Sequence, residues 1–180
     1  MTTYPIHTID TAPGWAREPL ARLREAFGFV PNAAAAMAGS PALLPAFIAA
    51  FGRFRAEGSF TPAERQVLLL TNAVTNSCAW AVAFHTGEAL HDGVPAEAVD
   101  AIRAGRSPAD PRLAALSGLA RAMITRRGHL ESGDTAGLDG REVLDAVVAV
   151  AISTMANYTA SIAGTPVQEQ FGAHAWHPEG

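Results

Sequence analysis

Along most of the chain, apolar residues, chiefly alanine and leucine, run in stretches broken by single Thr, Asn, Ser or charged positions. Alternation of β-branched and aromatic residues is scarce. This pattern predicts a nearly all-helical, all-α chain. Residues 1–15, with Pro5 and Pro13, read as an extended arm. A first helix is expected over 16–27, stopping at Gly28. Phe29-Val30-Pro31-Asn32 reads as a turn, because Pro31 disfavours helical geometry at Val30. A short helix follows over 33–38. Ser40-Pro41 then opens a longer one to about Ala56, with Pro41 at its first position.

Thr61-Pro62-Ala63-Glu64 is a strong helix start: Thr61 caps, Pro62 fits the first turn and Glu64 closes a capping box. This helix is expected to reach about Val74. Thr75, Asn76 and Ser77 then read as caps for a helix over 77–91, ended by Gly93. Pro95 opens a short helix to Ala104, and Asp110-Pro111 opens another to Arg127, stopped by Gly128. Asp139 or Gly140 starts the last long helix, which ends near Gly164-Thr165-Pro166. Residues 167–180 read as an irregular tail. No linker of domain-boundary type interrupts residues 1–180, so a single domain is expected. Thr61–His85 and Leu138–Ala163 echo one another, each opening with a polar cap and then Arg65-Gln66-Val67-Leu68 or Arg141-Glu142-Val143-Leu144.

Composition narrows the class. Apolar residues make up 49% of the 180, which argues for a packed core and against disorder. The net charge is −4 and the arginines, the chain's only Lys or Arg residues, are scattered, so a nucleic-acid surface is not expected. The apolar runs are broken before bilayer length, so no membrane span is expected. Met1-Thr2-Thr3-Tyr4-Pro5 lacks a basic segment followed by an apolar one, and a lone cysteine forms no internal disulfide. A cytoplasmic, reducing location is the expectation.

That cysteine lies in Asn76-Ser77-Cys78-Ala79-Trp80-Ala81-Val82-Ala83-Phe84-His85-Thr86. On a helix, Cys78 and His85 share nearly one face, about 10 Å apart in rise, which is too far for a direct hydrogen bond. A helix start favours a thiolate at Cys78. The alternative is a small buried thiol beside a hydrogen-bonded core histidine. His174 and His177 lack a third ligand nearby, and His85 and His91 do not share a face, so no metal site is expected. Neither a phosphate-binding glycine loop nor a G-x-S-x-G elbow is present.

Thr61–Val67 followed by Asn76–His85 resembles the core of the alkylhydroperoxidase D (AhpD)-like, carboxymuconolactone decarboxylase superfamily. Gly28–Asn32, Ser40–Leu44, Asn157-Tyr158 and Gly164–Pro166 resemble its peroxidase-related branch, so the resemblance spans about residues 20–172. It implies an AhpD-like helical bundle assembled as a homo-oligomer, a trimer or hexamer. It also implies chemistry without a cofactor: either C-x-x-C peroxidase activity with a Glu and a His as proton relay, or decarboxylation of a small lactone acid. Cys78 matches the first family cysteine and His85 the histidine. Ala81 stands in place of the second cysteine, Gln66 in place of the Glu, and Trp80 where a Tyr or His is common.

Alanine has no nucleophile, and glutamine accepts no proton as a carboxylate does, so the two-cysteine cycle cannot run within one chain. Three readings stay open. In one, Cys78, assisted by His85 and supported by Gln66, Trp80 and Glu64, reduces a hydroperoxide as a one-cysteine enzyme using an external thiol. In another, His85 is the acid–base of a lyase or isomerase acting on a small carboxylate lactone. In the third, the chain is a non-catalytic helical oligomer. Glu64, Glu88 and Glu142 stand as substitute carboxylates.

Overall fold

A computed structural model describes residues 3–177. Among them there are eight α-helices: α1 (Gly14–Phe27), α2 (Asn32–Met37), α3 (Leu43–Glu57), α4 (Pro62–Thr75), α5 (Ala79–His91), α6 (Ala96–Arg103), α7 (Pro111–Thr125) and α8 (Gly140–Ala163). Short 3-10 turns lie at Ser132–Thr135 and Glu169–His174.

α4 is the axis of the bundle. It packs on α5, α6, α7 and α8, and every residue from Val67 to Ala73 is buried. Its start follows the sequence closely: Glu64 N–H donates to Thr61 Oγ1 at 3.3 Å, and Thr61 N–H donates to Glu64 Oε2 at 2.9 Å. Asp139 and Glu142 build the same reciprocal cap on α8. Arg112 on α7 links the two caps, reaching Glu64 at 2.6 Å and Glu142 at 2.5 Å. Burial works to raise the Glu64 carboxyl, but the Thr61 backbone and Arg112 outweigh it and hold Glu64 below the usual carboxylate range. Glu142 is lowered first by Arg112 and then by the Asp139 backbone.

Several local expectations change. The helix expected from Pro41 starts at Leu43, with Ser40 Oγ accepting from Leu43 N–H at 3.2 Å. The first helix begins at Gly14, so the extended arm is shorter than expected. Ala12 is buried with Ala16, Leu20 and Leu23 in a second apolar cluster, which also holds Ala34, Met37, Leu44 and Ala156. Met1 and Thr2, at the start of the arm, lie outside the described residues. α8 corrects the expectation that no run is long and apolar enough for a bilayer, because by length and composition it is. Here it packs across α2, α3, α4, α5 and α7 through Ala146, Ala149, Ile152, Ser153, Ala156, Asn157 and Ala160.

Within the tail expected to be irregular, Glu169–His174 forms a 3-10 turn, and the last three residues lie outside the described part. Phe171 is buried against Phe29 and Phe84, with centroids at 5.6 and 5.2 Å. Gln168 Nε2 donates to the Val30 carbonyl, and its Oε1 accepts from Asn32 N–H. Arg103 straps the far end by donating to the His174 and Ala175 carbonyls, while Trp176 Nε1 donates back to the Arg103 carbonyl. Polar ties at both ends and an aromatic plug between them hold the tail over α5.

Candidate active site

α4 and α5 are joined by a three-residue turn that sets the site's geometry. Ser77 lies at φ 51°, the left-handed region that few non-glycine residues occupy. Cys78 N–H donates to the Ala73 carbonyl at 3.0 Å, closing the end of α4. Ser77 therefore terminates α4, where the sequence had suggested a cap for the next helix. Cys78 is itself the N-cap of α5, with no side-chain capping bond. Its side chain is 2% exposed, packed in the main core cluster with Trp80, Ala81 and Val82.

Two adjoining chambers open beside α5. The outer has a volume of about 370 Å³. Its aromatic floor is Phe27, Phe51 and Phe84, and its polar lining is Arg55, Arg65, Gln66, His85, Glu88, His91 and Asp92. The inner is about 40 Å³, lined mostly by apolar groups that include Phe47, Trp80 and Ile152, with Ser153. Phe27, Phe51, Leu69, Phe84 and His85 line both. Cys78 lines neither.

His85 is the hinge of this arrangement. Its Nδ1 lies 3.1 Å from Gln66 Oε1, and Gln66 Nε2 donates to Asp92 Oδ2 at 3.0 Å. A carboxylate only accepts, so Asp92 turns the amide NH2 toward itself and leaves Oε1 facing the imidazole. Nδ1 therefore carries the proton, and Nε2 keeps the lone pair. Burial pushes the His85 pKa down to about 3, so the ring is neutral at physiological pH. Phe84 packs edge-on against it with centroids 5.0 Å apart.

Charge on the outer chamber is divided. The Arg55 guanidinium lies 5.7 Å from the Phe51 ring and 6.0 Å from the Phe27 ring. Burial first, and then the Arg55 charge, pull the Arg65 guanidinium below its ordinary value, with Asp92 acting against them. Glu88 is raised by burial and by Asp92, and His91 and Arg55 oppose the shift.

The candidate residues thus separate. His85, Gln66 and Trp80 gather at the chambers, with Trp80 stacked on Phe84 at 5.2 Å. Cys78 sits in the core beneath them. Glu64 is held at the α4 cap by Thr61 and Arg112. Of the three substitute carboxylates, Glu88 alone lines either chamber. Asp92 and Arg55 were missed from sequence. Asp92 was within reach of the same rule that paired Cys78 with His85, since it lies seven residues beyond His85. Arg55 comes from a distant helix, and no spacing announces it.

In fold, this is an AhpD-like all-α protein. Residues 41–123 match the model of the carboxymuconolactone decarboxylase family. An uncharacterised peroxidase-related protein from Ralstonia eutropha JMP134, described as an alkylhydroperoxidase AhpD core, superposes with a TM-score of 0.79. It is 20% identical, and the match covers 93% of each chain. A peroxidase-related protein from Silicibacter sp. TM1040 has a TM-score of 0.77 at 18% identity, over 94% of this chain and 92% of its own. The debrominase Bmp8, as a cysteine-to-alanine variant in complex with 2,3,4-tribromopyrrole, has a TM-score of 0.76 at 14% identity, over 97% and 95%. No curated protein matches the sequence.

Proposed function

We propose that this chain is a cofactor-free acid–base enzyme of the lyase or isomerase type, with His85 as the proton-transferring group and a small organic acid or lactone as substrate. The observation that carries this reading is the division of the site: His85 lines both chambers with its tautomer set by Gln66 and Asp92, while Cys78 lines neither. A neutral imidazole with a free Nε2 accepts a proton from a substrate and returns it elsewhere on the same molecule. Burial makes it a weak base, and a bound anion raises its proton affinity. Arg55, on the aromatic floor, has the charge to hold such an anion.

The test is thermal stabilisation and turnover with a panel of small carboxylate lactones. Both should persist in Cys78→Ser and be lost in His85→Ala. Unchanged activity in His85→Ala rules the reading out.

A second reading, one-cysteine hydroperoxide reduction at Cys78 with an external thiol, is favoured by the place of Cys78 at the start of α5 and by the peroxidase-related neighbours. Peroxide consumption with dithiothreitol, lost in Cys78→Ser, would establish it in place of the first. A homo-oligomer, trimer or hexamer, is part of the proposal. Its support is the exposed apolar row Leu144, Val147, Tyr158 and Ile162 on α8, and light scattering on the purified protein measures it.

A further inference from the structure

We infer that Ser153 is the specificity-determining side chain of the inner chamber, and that the site's ligand is a compact aromatic compound bearing a hydroxyl group that enters there. The inference rests on the reading of the two chambers as a substrate site and adds the class of molecule they select.

Ser153 Oγ is buried, the residue being 2% exposed, and it has no hydrogen-bond partner. The other buried helical hydroxyls, Thr71, Thr86 and Ser117, are all paired. Thr75, Thr86 and Thr159 each donate to the carbonyl four residues back at 2.7 Å, and Ser117 accepts from Thr71. Ser153 sits on a regular helix with the same option and does not take it. Asn72, Asn76, Asn157 and Thr165 also carry buried unpaired side-chain atoms, but none of them lines either chamber. An unpaired buried hydroxyl is costly, and a ligand oxygen placed beside it removes that cost.

The walls select the rest of the ligand. The outer chamber offers the rings of Phe27, Phe51 and Phe84, and two of these are backed by residues of the inner one: Phe51 is stacked on Phe47 at 5.7 Å and 12°, and Phe84 on Trp80 at 5.2 Å and 17°. Flat faces of this kind suit an aromatic ring. A space of about 40 Å³ exceeds what one water needs but is well short of a whole ring. In this inference the ring stays in the larger, outer chamber, and its substituent is directed past His85, which lines both chambers, toward Ser153. Nδ1 of His85 is already committed to Gln66, so Ser153 is the side chain free to both donate and accept inside.

The test compares phenol with toluene on wild type and Ser153→Ala, following the His85 ring nitrogens by NMR as each probe is titrated. Wild type should bind phenol about five- to tenfold more tightly than toluene, as one net hydrogen bond implies. In Ser153→Ala the preference should fall to within about twofold, while toluene binding stays the same. The variant should also melt about 2–4 °C higher, because an unpaired hydroxyl has been removed. If both probes perturb His85 but phenol is not preferred, or its preference survives intact in Ser153→Ala, the assignment of Ser153 is overturned and the chambers remain a ligand site. If neither probe perturbs His85, the aromatic ligand class inferred here falls, whereas the substrate-site reading falls only if the carboxylate lactones fail as well.

Discussion

Replacing His85 with glutamine should change how stability depends on pH, by an amount the structure sets. In the folded chain burial holds the imidazole pKa at about 3, whereas the unfolded chain takes up a proton near the ordinary histidine value of about 6.5. The unfolded state thus binds more protons between these limits. His85 leaves stability untouched above about pH 6.5, and stability is lost progressively as pH falls toward about 3. Each unit within the window costs about 1.4 kcal/mol, so acidification from pH 7.5 to 5.0 removes about 2 kcal/mol through this one residue. Glutamine has no proton to exchange, so that loss is absent from His85→Gln. The assay is urea unfolding of both proteins at the two pH values. The stability gap between them should move by about 2 kcal/mol in favour of the variant at low pH. Glu88, raised by burial and Asp92, acts in the opposite sense but is common to both proteins and cancels. Glu64, Glu142 and Asp145 are all held low, so their losses fall mainly below the chosen range. A gap that does not move with pH would refute the buried, neutral imidazole on which the candidate site depends.

Arg112→Ala cuts the link between the caps of α4 and α8. The arginine side chain is 35% exposed, so screening limits the expected loss to about 1–2 kcal/mol, read as a melting point about 3–6 °C lower. Gly87→Ala sets a methyl carbon 2.8 and 2.9 Å from the Phe171 ring, which Phe29 and Phe84 hold in place. Overpacking of about 1–3 kcal/mol outweighs the gain in helix propensity of about 1 kcal/mol, and hydrogen exchange should rise over residues 169–174 before it rises in α4. Asp92→Ala frees the Gln66 amide to turn, so ring-nitrogen NMR of His85 should change from the Nδ1-protonated form alone to a mixture of tautomers.

The helices were legible because their punctuation is local. Thr61-Pro62-Ala63-Glu64, Asp110-Pro111 and Asp139 are capping signals that need no tertiary partner, and each begins a helix at the expected place. Ser40-Pro41 carries a similar signal, but the chain turns there and the helix starts two residues later. The docked tail was illegible because its order comes from remote groups: Gln168 bonds to Val30 and Asn32, and Arg103 to His174 and Ala175. Among the candidate site residues, the shared helical face of Cys78 and His85 was readable. Their different fates were not, because which residue meets a chamber is decided by Phe27, Phe51 and Ser153 on other helices.

Gln66 illustrates how a substitution that reads as loss becomes a different device in three dimensions. A glutamate at this position would share a proton with His85 directly. Glutamine accepts and donates at opposite ends of one amide, and the structure uses both ends at once. Asp92 fixes which end is which, so its negative charge acts on the imidazole through an uncharged spacer. The consequence is orientation without protonation: a carboxylate in direct contact would raise the ring's proton affinity, and the amide does not. Burial then prevails, and the ring stays neutral. Glutamine at this position therefore leaves a histidine of defined tautomer in an aromatic chamber, which is the arrangement that the proposed proton transfer on an organic substrate requires.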